Sequence, residues 1–236
     1  MTGVLLLCGA LAACSAGPQR GTRIDGPLPG RSYANPSKIV VSEIAFARLA
    51  QEKGQWTAFR ETAADDALMF VPQAANAQQF LDGRADPPAA VAWQPHSVFM
   101  ACDGRTGAST GAWQRNDGST GYYTTVWQRQ DGRDRRDRDE DWKWVLDHGD
   151  VLASPRAFDE MIDSRIASCT DGAMAIAASR TMVAADMQSG TRASEDGTFL
   201  WSWKVEGNGA RTVTLSLWNG SGFDDVLVDR VASPAQ

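Results

Sequence analysis

Histidine is scarce in this chain: His96 and His148 are the only two among 236 residues. Two are too few for a three-histidine zinc site, and neither stands in a helical H-E-x-x-H, so no metal and no cofactor is assigned. Basic charge is also short, with 23 Lys and Arg against 29 Asp and Glu and a net charge of −6. Without a basic stripe the chain is a poor partner for nucleic acid. Long apolar runs are missing too. The stretch Val4 to Ala13 is apolar or Gly throughout, yet far shorter than the roughly 20 residues of a spanning helix, and it reads as the h-region of a signal peptide.

What stands directly after that run is Leu11-Ala12-Ala13-Cys14, which resembles the lipobox of bacterial lipoproteins. The resemblance implies a signal over 1–14 and a lipid on Cys14. Ser15, where an Asp would favour inner-membrane retention, points to the periplasmic leaflet of the outer membrane. Cys8 is lost with the signal, which leaves Cys102 and Cys169 in an oxidising compartment. A disulfide between them is expected, with two free buried thiols as the alternative. Residues 15–37, rich in Gly, Pro and Arg, are expected to form a flexible tether to the membrane.

In the folded part, Asn35-Pro36 marks a helix start. Val40, Ile44 and Ala47, flanked by Val41, Ala45 and Leu49, form its apolar face, and Gly54 ends it. A second helix carries Trp56, Phe59 and Ala63. From Ala67 the period changes to a short strand ended by Pro72, with a short helix around Ala75 to Leu81 beyond it. Three strand-like segments follow, "SVFMACDG", "GAWQRNDGSTGYYTTVWQRQ" and "DWKWVLDHGD", with Asn116-Asp117-Gly118 as the hairpin turn of the middle one. Beyond residue 150 a helix is expected over Ser154 to Ile166. "MAIAASRTMVAADM" reads as either helix or strand, and three β-like runs end the chain. Phe199, Trp201, Trp203 and Val205 give the first of these an apolar face, as do Val213, Leu215 and Leu217 the second.

The segments "EIAFARLAQEKGQWTAFRETAADDALMFVP" and "GYYTTVWQRQ…WKWVLDHGD" in this order resemble the nuclear transport factor 2-like superfamily over residues 38–150. The resemblance implies an α+β class, with N-terminal helices packed in a curved antiparallel sheet, a cone, followed by a β-rich C-terminal extension over 151–236. It is specific for fold and hardly for function, because that superfamily hosts isomerases, cyclases, dehydratases and binding modules.

Several residue groups invite a chemical role. Gly107-Ala108-Ser109-Thr110-Gly111 satisfies G-x-S-x-G, but a nucleophile elbow needs a helix after the serine and the next residues read as strand, so a Gly-rich strand is the better account. By alternation Trp142, Trp144, Leu146 and His148 share one strand face, with Asp147 on the other. If that face lines the cone, His148 is a candidate acid or base. Asp66, next to Asp65 after the second helix, is a weaker one. The superfamily's isomerases pair a carboxylate base with a tyrosine, and Tyr123 supplies the residue type. Nine tryptophans are many; Trp113, Trp127 and Trp144, with Tyr123 and His148, are the expected lining of an apolar ligand site. From Asp131 to Asp141 every residue but Gly132 is charged, the pattern of a solvated hairpin loop.

The leading expectation is a noncatalytic envelope lipoprotein that binds a small apolar ligand or a protein partner. A cofactorless isomerase or cyclase is the second, and a structural homodimer the third. An open cone containing a buried acid would favour the second, an open apolar cone without one the first, and a filled cone the third.

Overall fold

The computed structural model describes residues 34–130, 141–158 and 160–233. Cys14, the expected signal and most of the expected tether lie outside them, as does the charged run 131–140. The chain opens with α1 (Ser37–Lys53) and α2 (Gln55–Thr62), hinged at Gly54. Asn35 Oδ1 accepts from the Ser37 amide at 3.1 Å, satisfying one of the free donors of the first turn. Gly54 has φ 104°, and a Cβ there would strike the Asp86 carboxylate, which instead accepts from the Thr57 amide and hydroxyl and so holds the start of α2.

The strands follow as β1 (Ala63–Phe70), β2 (Ala74–Asn76), β3 (Ala92–Met100), β4 (Thr106–Gln114), β5 (Thr120–Arg129), β6 (Trp142–Leu152) and β7 (Asp163–Ile166), with α3 (Ala77–Leu81) between β2 and β3. They form one sheet in the order β2-β1-β6-β5-β4-β3-β7. After α4 (Ala173–Arg180) come β8 (Met182–Val183), β9 (Ser189–Ala193), β10 (Phe199–Val205), β11 (Arg211–Trp218) and β12 (Phe223–Val231), which make a second, antiparallel sheet in the order β12-β11-β10-β9-β8. The turn between β4 and β5 is the expected one. Asp117 Oδ1 accepts from the Ser119 amide, and Gly118 takes φ 84°.

The α+β class, with helices inside an antiparallel cone and a β-rich extension after it, is overturned. Among the described residues twelve strands stand against four helices. The first sheet is mixed, since β1 runs parallel to β6 and β3 parallel to β7. β7 comes from beyond residue 150, where a helix over Ser154 to Ile166 was expected; its exposed Asp-Ser-Arg-Ile finds a partner in the free edge of β3.

The second sheet packs face to face on the first. Phe199, Trp201, Trp203, Val213 and Leu215 share one continuous core with Phe99, Ala108, Val126 and Leu146 of the first sheet. Three strands with one strongly apolar face need an apolar layer to cover them, and the side of the first sheet turned away from α1 supplies it. A single tryptophan buried as completely as Trp201, at 1 % exposure, contributes on the order of 3 kcal/mol through removal of its surface from water. Cys102 and Cys169 form the expected disulfide, with Cα atoms 5.2 Å apart, and so fasten the end of β3 to the segment after β7.

Candidate functional site

The buried stripe of α1 is Ile39, Glu43, Phe46 and Ala50, at spacings of four, three and four. This is not the face expected from hydrophobicity. Ile44 is 54 % and Val41 64 % exposed, whereas Glu43 is fully buried. The stripe comes close to the sheet because β4 turns small residues, Gly107 and Ser109, toward it. A Cβ on Gly107 would run into the Ile39 side chain, and one on Gly111 into the Gln94 carbonyl and the Tyr123 ring. The glycines of G-x-S-x-G therefore serve close approach. Ser109 between them is a mid-strand residue, and its hydroxyl donates to Glu43 Oε2. The same carboxylate accepts from the Trp93 indole at 2.6 Å and the Trp127 indole at 3.0 Å. Burial raises the Glu43 pKa, and these three donors pull it back down.

Across β5, the strand β6 carries one extra residue. Val126 pairs with Leu146 but Trp127 pairs with Trp144, so a bulge at Val145 interrupts the alternation. Paired residues in a ladder point to the same side. Trp144 and Asp147 thus face α1 with Trp127, Thr125 and Tyr123, while Leu146 and His148 face the second sheet with Val126, Thr124 and Tyr122. The expected common face of Trp144 and His148 is replaced by opposite faces, and Asp147 takes the place foreseen for His148.

On the α1 side lies a half-open cavity of ≈ 470 Å³, within the range of small-molecule sites. Its walls include Phe46, Phe59, Trp93, Trp113 and Tyr123, with the Phe46 ring edge-on to Phe59 and Trp93 at centroid distances of 4.8 and 4.9 Å. Asp147 sits in this wall. Thr125 Oγ1 donates to its Oδ2 at 2.7 Å. Burial pushes its pKa up to about 7, with the Glu43 charge adding to the rise and the Thr125 hydrogen bond and Arg211 opposing it. The Tyr123 hydroxyl is buried and makes no hydrogen bond of good geometry among the described residues, with Ser109 close beside it. Burial, then the charges of Glu43 and Asp147, hold its pKa well above 10 against the opposing pull of Ser109 and Arg156.

The sequence-derived candidates divide accordingly. Trp113 and Tyr123 line the cavity. Trp127 and Trp144 stand behind it, buried at 1 % and 0 % exposure, and the Trp144 indole donates to Thr62 Oγ1. His148 is among the residues that border the cavity, but its ring pairs with Asp229 on β12, Nε2 to Oδ2 at 3.0 Å. Burial lowers its pKa more than Asp229 raises it. Around that pair, Thr124 Oγ1 donates to the same Asp229 oxygen and Arg156 donates to Thr110 Oγ1, so the contacts join the two sheets. Asp66 lies outside the cavity, exposed on β1 and ion-paired with Arg192 at 2.9 Å. Glu43 and Asp147 escaped sequence reasoning. The one available signal for Glu43 was its position in register with Ile39, Phe46 and Ala50. Among the described residues no group of three His, Cys, Asp or Glu side chains is placed to hold a metal ion.

No protein-family model matches the chain, and no curated protein matches it in sequence. Among solved structures, one from Novosphingobium aromaticivorans, provisionally described as an aromatic ring hydroxylase, is similar over 50 % of this chain and 91 % of its own. Identity is 14 % and the TM-score 0.33. That likeness is loose, and neither fold nor activity is carried over from it.

Proposed function

We propose that the cavity binds a small, flat, apolar molecule and moves a proton on it, with Asp147 as the base and Tyr123 as the hydrogen-bond donor to the oxygen where charge develops. The observation that carries this reading is a carboxyl group brought to a pKa of about 7 inside an aromatic cavity. A base is most effective when its pKa lies near the working pH. Only Oδ2 of Asp147 is engaged by Thr125, which leaves Oδ1 to receive a proton. Tyr123, its pKa far above 10, stays protonated and offers its hydroxyl to an enolate-like oxygen, which a preorganised donor in a dry site stabilises strongly. Glu43 plays a different part. Its three hydrogen bonds fix the Trp93 wall and the Trp127 indole behind it, so it shapes the lumen. Of the three expectations, the isomerase or cyclase type fits best, since the open cavity contains a buried acid. We place the protein in the bacterial cell envelope, anchored through Cys14, and the reading is supported by the lipobox-like Leu11-Ala12-Ala13-Cys14 and by the disulfide. The nuclear transport factor 2-like resemblance of residues 38–150 remains part of this proposal on the strength of the sequence motifs alone.

The test is hydrogen–deuterium exchange at the activated carbon of 2-tetralone, followed by NMR with the full-length chain. The expected acceleration over buffer is on the order of 100-fold or more, rising with pH through an apparent pKa near 7. Asp147→Asn should abolish it with ketone binding intact, and Tyr123→Phe should reduce it at least tenfold. Exchange at the buffer rate, or equal exchange in Asp147→Asn, overturns the reading.

A further inference from the structure

We infer that the cavity selects a flat aromatic monocarboxylate, its anionic end held at the mouth by Arg84 and Arg115 and its ring system inside. The inference rests on the reading of the cavity as a ligand site, though not on Asp147 acting as a base. The Arg84 guanidinium lies 4.0 Å from the Phe80 ring centroid and 6.0 Å from that of Trp56, and the Arg115 guanidinium lies 4.5 Å from that of Trp113. All five side chains line the cavity. Stacking holds a guanidinium by its face and leaves the N–H edge free to hydrogen-bond.

Among the described residues neither group makes an ion pair or a side-chain hydrogen bond through that edge, although Arg115 lies near enough to Asp117 to lower its pKa. Arg48, Arg105 and Arg192 each hold a carboxylate, Glu52, Glu195 and Asp66 respectively, at 2.7 to 2.9 Å. Arg84 and Arg115 hold none among the described residues. In a chain of net charge −6, two exposed guanidinium groups on the lining of one cavity supply positive charge there, and a carboxylate is the planar anion that matches the fork of donors.

The interior fixes the orientation. Glu43 and Asp147 lie deep, and Asp150, whose Oδ1 accepts from the Val151 amide at 2.8 Å, stands in the wall. An anion would lose its hydration in the lumen, where among the described residues no arginine or lysine side chain lies deep to replace it, and an apolar body is welcomed by the aromatic walls, so the charged end of the ligand stays outermost. The overall negative charge also discriminates against ligands carrying more than one.

The experiment is calorimetric titration of the full-length chain with 2-naphthoate, with the neutral isostere 2-naphthamide and with decanoate. Naphthoate should bind at least tenfold more tightly than naphthamide at low ionic strength. Raising the salt should erode that preference, since the guanidinium groups are solvent-exposed. In the Arg84→Gln/Arg115→Gln double variant the preference should fall below about twofold while naphthamide binds as before, which also shows that the variant is folded. Naphthamide binding as tightly as naphthoate to the unaltered chain overturns the inference while leaving the cavity reading in place. So does a preference that survives the double variant. Decanoate binding more tightly than naphthoate overturns the aromatic part and points to acyl chains. Binding of none of the three overturns the inference together with the ligand-site reading beneath it.

Discussion

Asp147 and His148 are adjacent in sequence and leave β6 on opposite sides of the same sheet. Both are kept toward their neutral forms by burial, the carboxyl by a raised pKa and the imidazole by a lowered one. What they meet differs. On the α1 side the sheet faces a lumen, and Asp147 keeps one oxygen unengaged in the wall it shares with Tyr123. On the other side the sheet is sealed by β10, β11 and β12, and His148 is drawn into contacts among Asp229, Thr124, Thr110 and Arg156. Neighbouring polar groups on one strand therefore serve chemistry or cohesion according to whether the opposite layer leaves room.

If this contrast is right, mutations on the sealed side should cost stability and those on the open side should cost binding. The largest difference is expected between Trp201→Ala and Trp113→Ala. The first opens a cavity in the joint core and should lower the unfolding free energy by about 3–5 kcal/mol, read by urea denaturation. The second removes a half-exposed wall residue and should cost less than about 1.5 kcal/mol while weakening naphthoate binding several-fold. Equal losses from both would erase the distinction.

Next in size is the disulfide. Cys102 and Cys169 are 67 positions apart in the sequence, and replacing both by Ala should lower stability by about 2–4 kcal/mol through release of the unfolded chain. Thermal melting of the oxidised protein against the double variant measures this; an unchanged melting temperature contradicts it.

The pH dependence separates the two sides in sign. Asp147 has a folded pKa of about 7 against an ordinary 3.8, so between about pH 4 and 7 the folded state holds more protons and stability declines as pH rises. Asp147→Asn should remove that decline and stabilise the protein at pH 8 by roughly 1–3 kcal/mol, a value discounted for partial exposure of the group. His148 has a folded pKa below its ordinary 6.5, so its contribution is present above pH 6.5 and lost as pH falls toward the depressed value. His148→Gln should remove that acid-side loss. Chemical denaturation from pH 4 to 8 should thus show slopes of opposite change in the two variants. Slopes that move the same way would mean that the two side chains share one environment.

The smallest effect should come from Ile44→Gln on the outward face of α1. Ile44 is 54 % exposed, and the change should stay within about 0.5 kcal/mol, whereas Phe46→Ala two residues on should cost about 3–5 kcal/mol.

Local signals carried much of this architecture in the sequence. The two helices and their joint at Gly54, the hairpin around Asp117-Gly118, the alternation in β10 and β11 and the cysteine pair were all legible, because each depends on a few neighbouring residues. The stacking of the second sheet was not, since an apolar strand face states that it needs cover without stating by what. The face of α1 was misread for a related reason. Glu43 occupies a buried position, and a pattern built on hydrophobicity turns such a stripe outward. Of the site, Trp113 and Tyr123 were found, while Asp147 was assigned away from the lumen because strict alternation from Trp144 cannot foresee a bulge. The rim arginines carry no signal at all until Phe80 and Trp113 are placed beneath them.

That bulge has an evolutionary corollary. A strand is read in steps of two, so one residue taken into or left out of the pairing in β6 rewrites everything beyond it. A chain lacking Val145 would pair without interruption and keep its carboxyl in the lumen, whereas the same text with Val145 drawn into the ladder would turn an imidazole into the lumen and drive a carboxyl into the seam between the sheets. The acidity of this cavity thus rests on one skipped step, and a change that let Val145 pair would alter its chemistry more than most substitutions along its walls.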